Sequence, residues 1–150
     1  MANIYYNLKF SGLVSPVEGK PGTFQALGGA DSNDISCTIG SGGVKGKVSP
    51  GTGGSATFES VVVVTGKDTF DEKGKITFGK SGKHGFSFAT VGAGSYGAGP
   101  AKGGMHGAVT WRITRAFGQF KGAKGYITSN FAVDGKGRLT DHQIGNFNKK

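Results

Sequence analysis

Apolar and polar side chains alternate in twos along most of the chain, the period of a half-buried β-strand. Asn3–Phe10 is the first such segment, with Ile4, Tyr6, Leu8 and Phe10 on one face and Asn3, Tyr5, Asn7 and Lys9 on the other. Pro16, Gly19, Pro21 and Gly22 break the chain, and a weaker segment covers Thr23–Leu27. Asp34–Gly40 places Ile35, Cys37 and Ile39 inward. Gly40–Gly54 reads as a loop or a short hairpin around Val44–Val48, with a turn at Pro50-Gly51. Ala56–Thr65 alternates and then becomes continuous at Val61–Val64, which suggests burial on both faces or a subunit contact.

Asp68–Phe70 and Lys75–Phe78 flank Asp71-Glu72-Lys73-Gly74, which has the composition of a hairpin turn. His84–Val91, His106–Thr114, Tyr126–Val133 and Arg138–Phe147 complete the strands, separated by Gly92–Gly104, Gly118–Gly125 and Asp134–Gly137. Eight or nine evenly spaced strands without a helix predict an all-β domain over residues 1–150, a closed antiparallel β-barrel of about eight strands. Closure is favoured because it removes exposed edges. Strand glycines at Gly85, Gly107 and Gly145 mark bends or points of close ligand approach.

Composition sharpens this picture. Thirty of 150 residues are glycine, which disfavours helices, while 11 Phe, four Tyr and one Trp supply bulky core. The formal charge of +9 suits a polyanion, anionic lipid or an acidic small molecule. The lysines are scattered singly, at Lys20, Lys67, Lys73, Lys80, Lys102 and Lys136 among others, so a nucleic-acid stripe is not favoured. A single cysteine excludes an intrachain disulfide, and no apolar run reaches membrane-spanning length. The expected setting is the cytoplasm, without a membrane partner.

Ile113-Thr114-Arg115-Ala116-Phe117-Gly118-Gln119-Phe120-Lys121-Gly122-Ala123-Lys124-Gly125-Tyr126-Ile127 resembles the barrel signature of allene oxide cyclases, a Gly-x-Phe-x-Gly-Ala-x-Gly turn between two strands. Dirigent proteins carry a related stretch. Arg115-Ala116 stands where the cyclase signature has two glycines. The resemblance implies a calycin-like eight-stranded barrel with a ligand-sized lumen, assembled as a dimer or trimer. It also implies cyclisation or stereochemical steering of a small molecule. The matched glycines and Phe120 shape the turn, and Phe120 with Ala123 can plug one barrel end.

The candidate chemistry comes from ionisable residues. His106 shares a face with Thr110, Arg112 and Thr114, opposite Val109, Trp111 and Ile113, and either face can line the lumen. With the polar face inward, Arg112 would hold an anionic group and His106 would move a proton. Asp141 and His142 point to opposite faces, Asp141 with Leu139, Gln143 and Phe147 and His142 with Ile144. Glu59, before the valine run, is a candidate buried acid. Tyr6, Tyr96, Thr110, Trp111 and Cys37 are candidate ligand contacts, with Tyr96 placed to close over a guest and Cys37 read as a small inward residue.

Gly92–Gly97 has the form G-x-G-x-x-G, but no helix follows it to hold a pyrophosphate. The three dispersed histidines lack a metal-ligand spacing. The expected function is a barrel enzyme, an isomerase, cyclase or lyase, that needs no cofactor or metal. It would cyclise, isomerise or eliminate from a mostly apolar, aromatic or carboxylated guest in the lumen. The alternative is a lipocalin-like or dirigent-like binder of a hydrophobic ligand. Val61–Val64 and Trp111 point to a homo-oligomer.

Overall fold

A computed structural model describes residues 2–149. Nine strands follow in chain order: β1 (Ala2–Pro16), β2 (Thr23–Gly40), β3 (Gly43–Val64), β4 (Thr69–Phe78), β5 (His84–Thr90), β6 (Gly94–Ala98), β7 (Met105–Phe117), β8 (Lys124–Val133) and β9 (Arg138–Lys149). A single 3-10 turn at Gly118–Phe120 precedes β8. All pairings are antiparallel. β1 pairs with both β2 and β9, and the β3–β4 pairing completes the circuit. Eight strands thus form a ring, and short β6 bridges β4 and β7. A ring of this size leaves an interior that side chains fill, or that holds one small guest.

Both outcomes occur in this barrel, at opposite ends. Alternation turns Tyr6 of β1, Phe78 of β4, Phe86 of β5 and Phe147 of β9 inward. Phe120, from the turn before β8, joins them. Its ring lies 5.1 Å from Phe78 and 5.8 Å from both Phe86 and Phe147. These rings close one end, as the Phe120 plug predicts. Midway along the axis Trp111 stacks on Phe88 at 4.1 Å, with Phe58 alongside at 5.8 Å. Trp111, Phe10, Phe86, Phe88 and Phe147 are all fully buried. Each contributes about 1.5–3 kcal/mol by leaving water.

The strand glycines are sockets for rings. A Cβ at Gly145 would run into the Tyr6 ring on the paired strand, one at Gly85 into the Ile76 carbonyl and the Phe117 ring, and one at Gly107 into the Ser95 carbonyl and the Phe131 ring. Gly145→Ala is expected to cost about 1–3 kcal/mol in denaturant unfolding. Tyr6→Leu in the same chain frees the space, so the double variant should lose less than the sum of the two single changes.

Three segments differ from their sequence reading. Asp71–Gly74 is no turn: β4 runs straight through it, with Gly74 facing inward against the Phe88 ring. Gly40–Gly54 is mostly strand, because β2 and β3 extend past the barrel as a two-stranded ribbon pairing Asn33–Gly40 with Gly43–Pro50. No other strand covers this ribbon, so Ile35, Cys37 and Ile39 are exposed rather than inward. Finally, the glycine loop 92–104 contains β6. Of the residues read as subunit contacts, Val61 and Val63 do face outward, whereas Trp111 is buried inside.

Candidate functional site

At the end opposite the aromatic plug the interior opens into a cavity of about 220 Å³. Its walls are apolar, built by Phe24 and Ala26 of β2, Phe58 and Val62 of β3, Phe70 of β4, and Phe131 and Val133 of β8. Val14, Tyr96 and Met105 also line it. Two carboxyl groups reach this space, Glu72 from β4 and Asp141 from β9, together with the Ser129 hydroxyl. Glu72 is 8% exposed and Asp141 2%, so both sit almost wholly out of water. No Lys, Arg or His lines the cavity among the described residues.

Each carboxyl is held by neutral donors. Ser60 donates to Glu72 Oε1 at 2.5 Å, and the Trp111 indole N–H donates to Oε2 at 3.2 Å. The Ser129 hydroxyl donates to Asp141 Oδ1 at 2.6 Å, and Gln143 Nε2 to Oδ2 at 2.7 Å. Gln143 is oriented in turn by the Tyr6 hydroxyl, which donates to its Oε1 at 3.2 Å. These bonds fix the carboxyl planes and favour the charged forms.

Burial nevertheless outweighs them. Desolvation, assisted by the charge of Asp141, raises Glu72 from 4.5 to about 7 despite its bonds from Ser60 and Trp111. Desolvation likewise raises Asp141 from 3.8 to about 6, opposed by Ser129 and Gln143. Burial and the Asp141 charge push the Tyr6 hydroxyl well above its ordinary range, so it remains a donor. A pair of carboxyls raised toward neutrality, Glu72 further than Asp141, in one apolar chamber, can give and take a proton.

The candidates from sequence divide by face. Asp141 points into the lumen with Gln143 and Phe147, Trp111 is wholly internal, and Tyr6 lies between the plug and Gln143. Tyr96 lines the mouth, its hydroxyl donating to the Lys67 carbonyl at 3.2 Å. His106, Arg112 and His142 are exposed on the outer surface, because the apolar partners Val109, Trp111 and Ile113 take the inside of β7. Thr110 is on that outer face as well, half-buried. Glu59 is not buried: it faces water and pairs with Lys75 at 3.3 Å. Cys37, read as inward, is exposed on the ribbon.

Sequence reading missed Glu72. Its signal was there, since Phe70, Glu72, Gly74, Ile76 and Phe78 alternate and make it the one acid on an otherwise apolar face. Ser60, Ser129 and Gln143 were missed too. Each is a polar residue at an inward position of a strand otherwise facing inward with apolar side chains.

No protein-family model matches the sequence, and no curated protein does. Among solved structures, the chain is similar to the pterocarpan synthase dirigent protein GePTS1 at a TM-score of 0.55 and 15% sequence identity, covering 99% of this chain and 92% of that one. The likeness shows a dirigent-like barrel fold, in agreement with the resemblance carried by Ile113–Ile127.

Proposed function

We propose that the barrel is a cofactor-independent acid–base catalyst that isomerises or cyclises a small apolar molecule held in its lumen. The observation that carries this reading is the Glu72–Asp141 pair lining a cavity that is otherwise apolar and has no cationic side chain in its lining. Glu72, the carboxyl that still holds its proton near neutrality, delivers it to an alkene carbon or a carbonyl oxygen. Asp141, whose charged form is held by Ser129 and Gln143, removes a proton from the resulting cation. The guest leaves with the proton count it brought, Asp141 passes the proton it took to water at the mouth, and Glu72 is recharged from the same water.

The field of two acids without a basic neighbour favours a guest that is basic or becomes cationic, over the carboxylated guest expected from an inward Arg112. The rings of Phe58, Phe70 and Phe131 add cation–π stabilisation to such an intermediate. The apolar wall excludes water that would otherwise trap it. That the structural neighbour is named a synthase supports the idea that a barrel of this type can host chemistry.

Trp111 is the chain's only tryptophan and touches Glu72, so its fluorescence reports an occupied lumen. An apolar tertiary amine should bind roughly tenfold tighter than a carboxylic acid of the same skeleton at pH 8, a preference that Glu72→Gln reduces. Incubation in heavy water with acid-sensitive terpenoid and aryl alkenes should give isomerised product carrying deuterium, and Glu72→Gln should abolish it. Binding without any labelled product in wild type would favour the carrier reading. A preference for the carboxylic acid would contradict the electrostatic argument.

A further inference from the structure

The lysines that look dispersed in the sequence converge in the fold. Antiparallel strands return to the same end at every second connection, and the connections at the plugged end are basic. The link between β4 and β5 carries Lys80 and Lys83, and the link between β7 and β8 carries Lys121, with Lys124 at the start of β8. Lys149, at the end of β9, reaches across to the Gln119 carbonyl at 2.6 Å. The ribbon leaves the barrel at this same end and adds Lys45 and Lys47, with Asp31 and Asp34 at its base. At the mouth acids offset most of the cations instead, with Lys102 and Lys136 left over. Glu18 is near Lys20 in one turn, Asp68 follows Lys67 in another, and Asp134 is ion-paired with Arg138. Neither ion pair among the described residues lies at the plugged end.

The ribbon adds a second character. In its register Ile35 faces Val48 and Ile39 faces Val44, so one face is apolar from base to tip. All four side chains are exposed, Ile39 at 83% and Val44 at 66%. Lys45 and Lys47 project from the opposite face, across from Thr38 and Ser36. An exposed apolar ribbon face, backed by Lys45 and Lys47 and rooted in the basic end of the barrel, matches a lipid interface, where apolar side chains enter the headgroup boundary and ammonium groups meet phosphates.

We propose that the plugged end of the barrel docks on an anionic lipid surface through the apolar face of the ribbon and the lysines of that end. Charge decides the occupant. A second copy would bring the same positive pole against itself, which is unfavourable. A nucleic acid would satisfy the lysines but leave Ile39 and Val44 against a polar backbone. Docked this way, the lumen mouth points away from the lipid and stays open to water. The inference stands apart from the proton chemistry of the lumen.

Co-sedimentation of the full chain with vesicles tests it. Wild-type protein should pellet with phosphatidylcholine vesicles containing about a third phosphatidylglycerol, should not pellet with pure phosphatidylcholine, and should release as salt rises. Ile39→Ser with Val44→Ser should weaken binding roughly tenfold or more, and so should Lys80→Glu with Lys83→Glu, which leaves the ribbon intact. Both pairs are exposed, so an unchanged melting temperature certifies the barrel. The proposal is overturned by any of four results: no pelleting with anionic vesicles, binding indifferent to the ribbon-tip pair, tighter binding to a short DNA duplex than to vesicles, or a wild-type dimer that the ribbon-tip pair dissolves.

Discussion

Replacing Glu72 with Gln should raise the melting temperature by about 6–12 °C at pH 8 and by almost nothing at pH 4. The folded chain holds the Glu72 proton up to about pH 7, whereas the unfolded chain releases it near 4.5. Between those values the folded state binds more protons, so stability falls as pH rises. Glu72 contributes its full stabilisation below the unfolded value, and that contribution is gone above the folded one. The span corresponds to about 3 kcal/mol. Asp141 adds a change of the same sign between 3.8 and about 6. Glutamine keeps the neutral form's bonds, since its carbonyl accepts from Trp111 and its amide donates to the Ser60 hydroxyl. The variant therefore loses the buried charge and little else, and proton delivery to a guest goes with it. Thermal unfolding across pH 4–8 checks this. A variant less stable than wild type at pH 8 would mean that the charged carboxylate is well solvated.

Trp111→Ala should cost about 3–5 kcal/mol, a large part of the stability of a domain this size. The side chain is wholly buried, stacked on Phe88 and adjacent to Phe58. Its removal leaves a cavity that the surrounding strands, pinned by the ring of hydrogen bonds, cannot close. It also removes the donor to Glu72 Oε2, so the carboxyl should become a still weaker acid. Trp111→Phe separates the two effects. It keeps most of the packing but not the N–H, so it should lose less stability while still raising the Glu72 pKa. Urea denaturation paired with a carboxyl titration measures both. Equal losses of stability for Ala and Phe would show that the hydrogen bond, rather than the stacking, dominates.

The barrel was legible because nearly every strand writes its inside in period two. Leu139, Asp141, Gln143 and Phe147 could be placed on one face from spacing alone. The Gly118–Gly125 turn carried the fold resemblance because its glycines and Phe120 answer to a fixed local geometry. What spacing cannot say is which face meets the interior. For β7 the polar set of His106 and Arg112 looked as suited to a lumen as Val109 and Trp111 did. A small barrel resolves this in favour of bulk, since its interior must first be filled by rings.

Glu72 was hidden for another reason. Asp-Glu-Lys-Gly has the composition of a turn, and only the close approach of the Glu59 carbonyl, Ser60 and the Phe88 ring to Gly74 explains a glycine there in mid-strand. The ribbon was misread because alternation in Ile35, Cys37 and Ile39 is a property of one strand, whereas burial requires a second layer. The basic pole is likewise a product of topology: strand reversal, rather than sequence proximity, brings Lys80, Lys121 and Lys149 to one end.

The central claim is that the lumen keeps a carboxylic acid protonated near neutrality. The chain has only three glutamates, Glu18, Glu59 and Glu72, and the first two are exposed. A carboxyl-carbon NMR titration of protein labelled at glutamate reads all three at once. One resonance should titrate near pH 7 and vanish in Glu72→Gln. Three resonances all moving in the ordinary glutamate range would contradict the account.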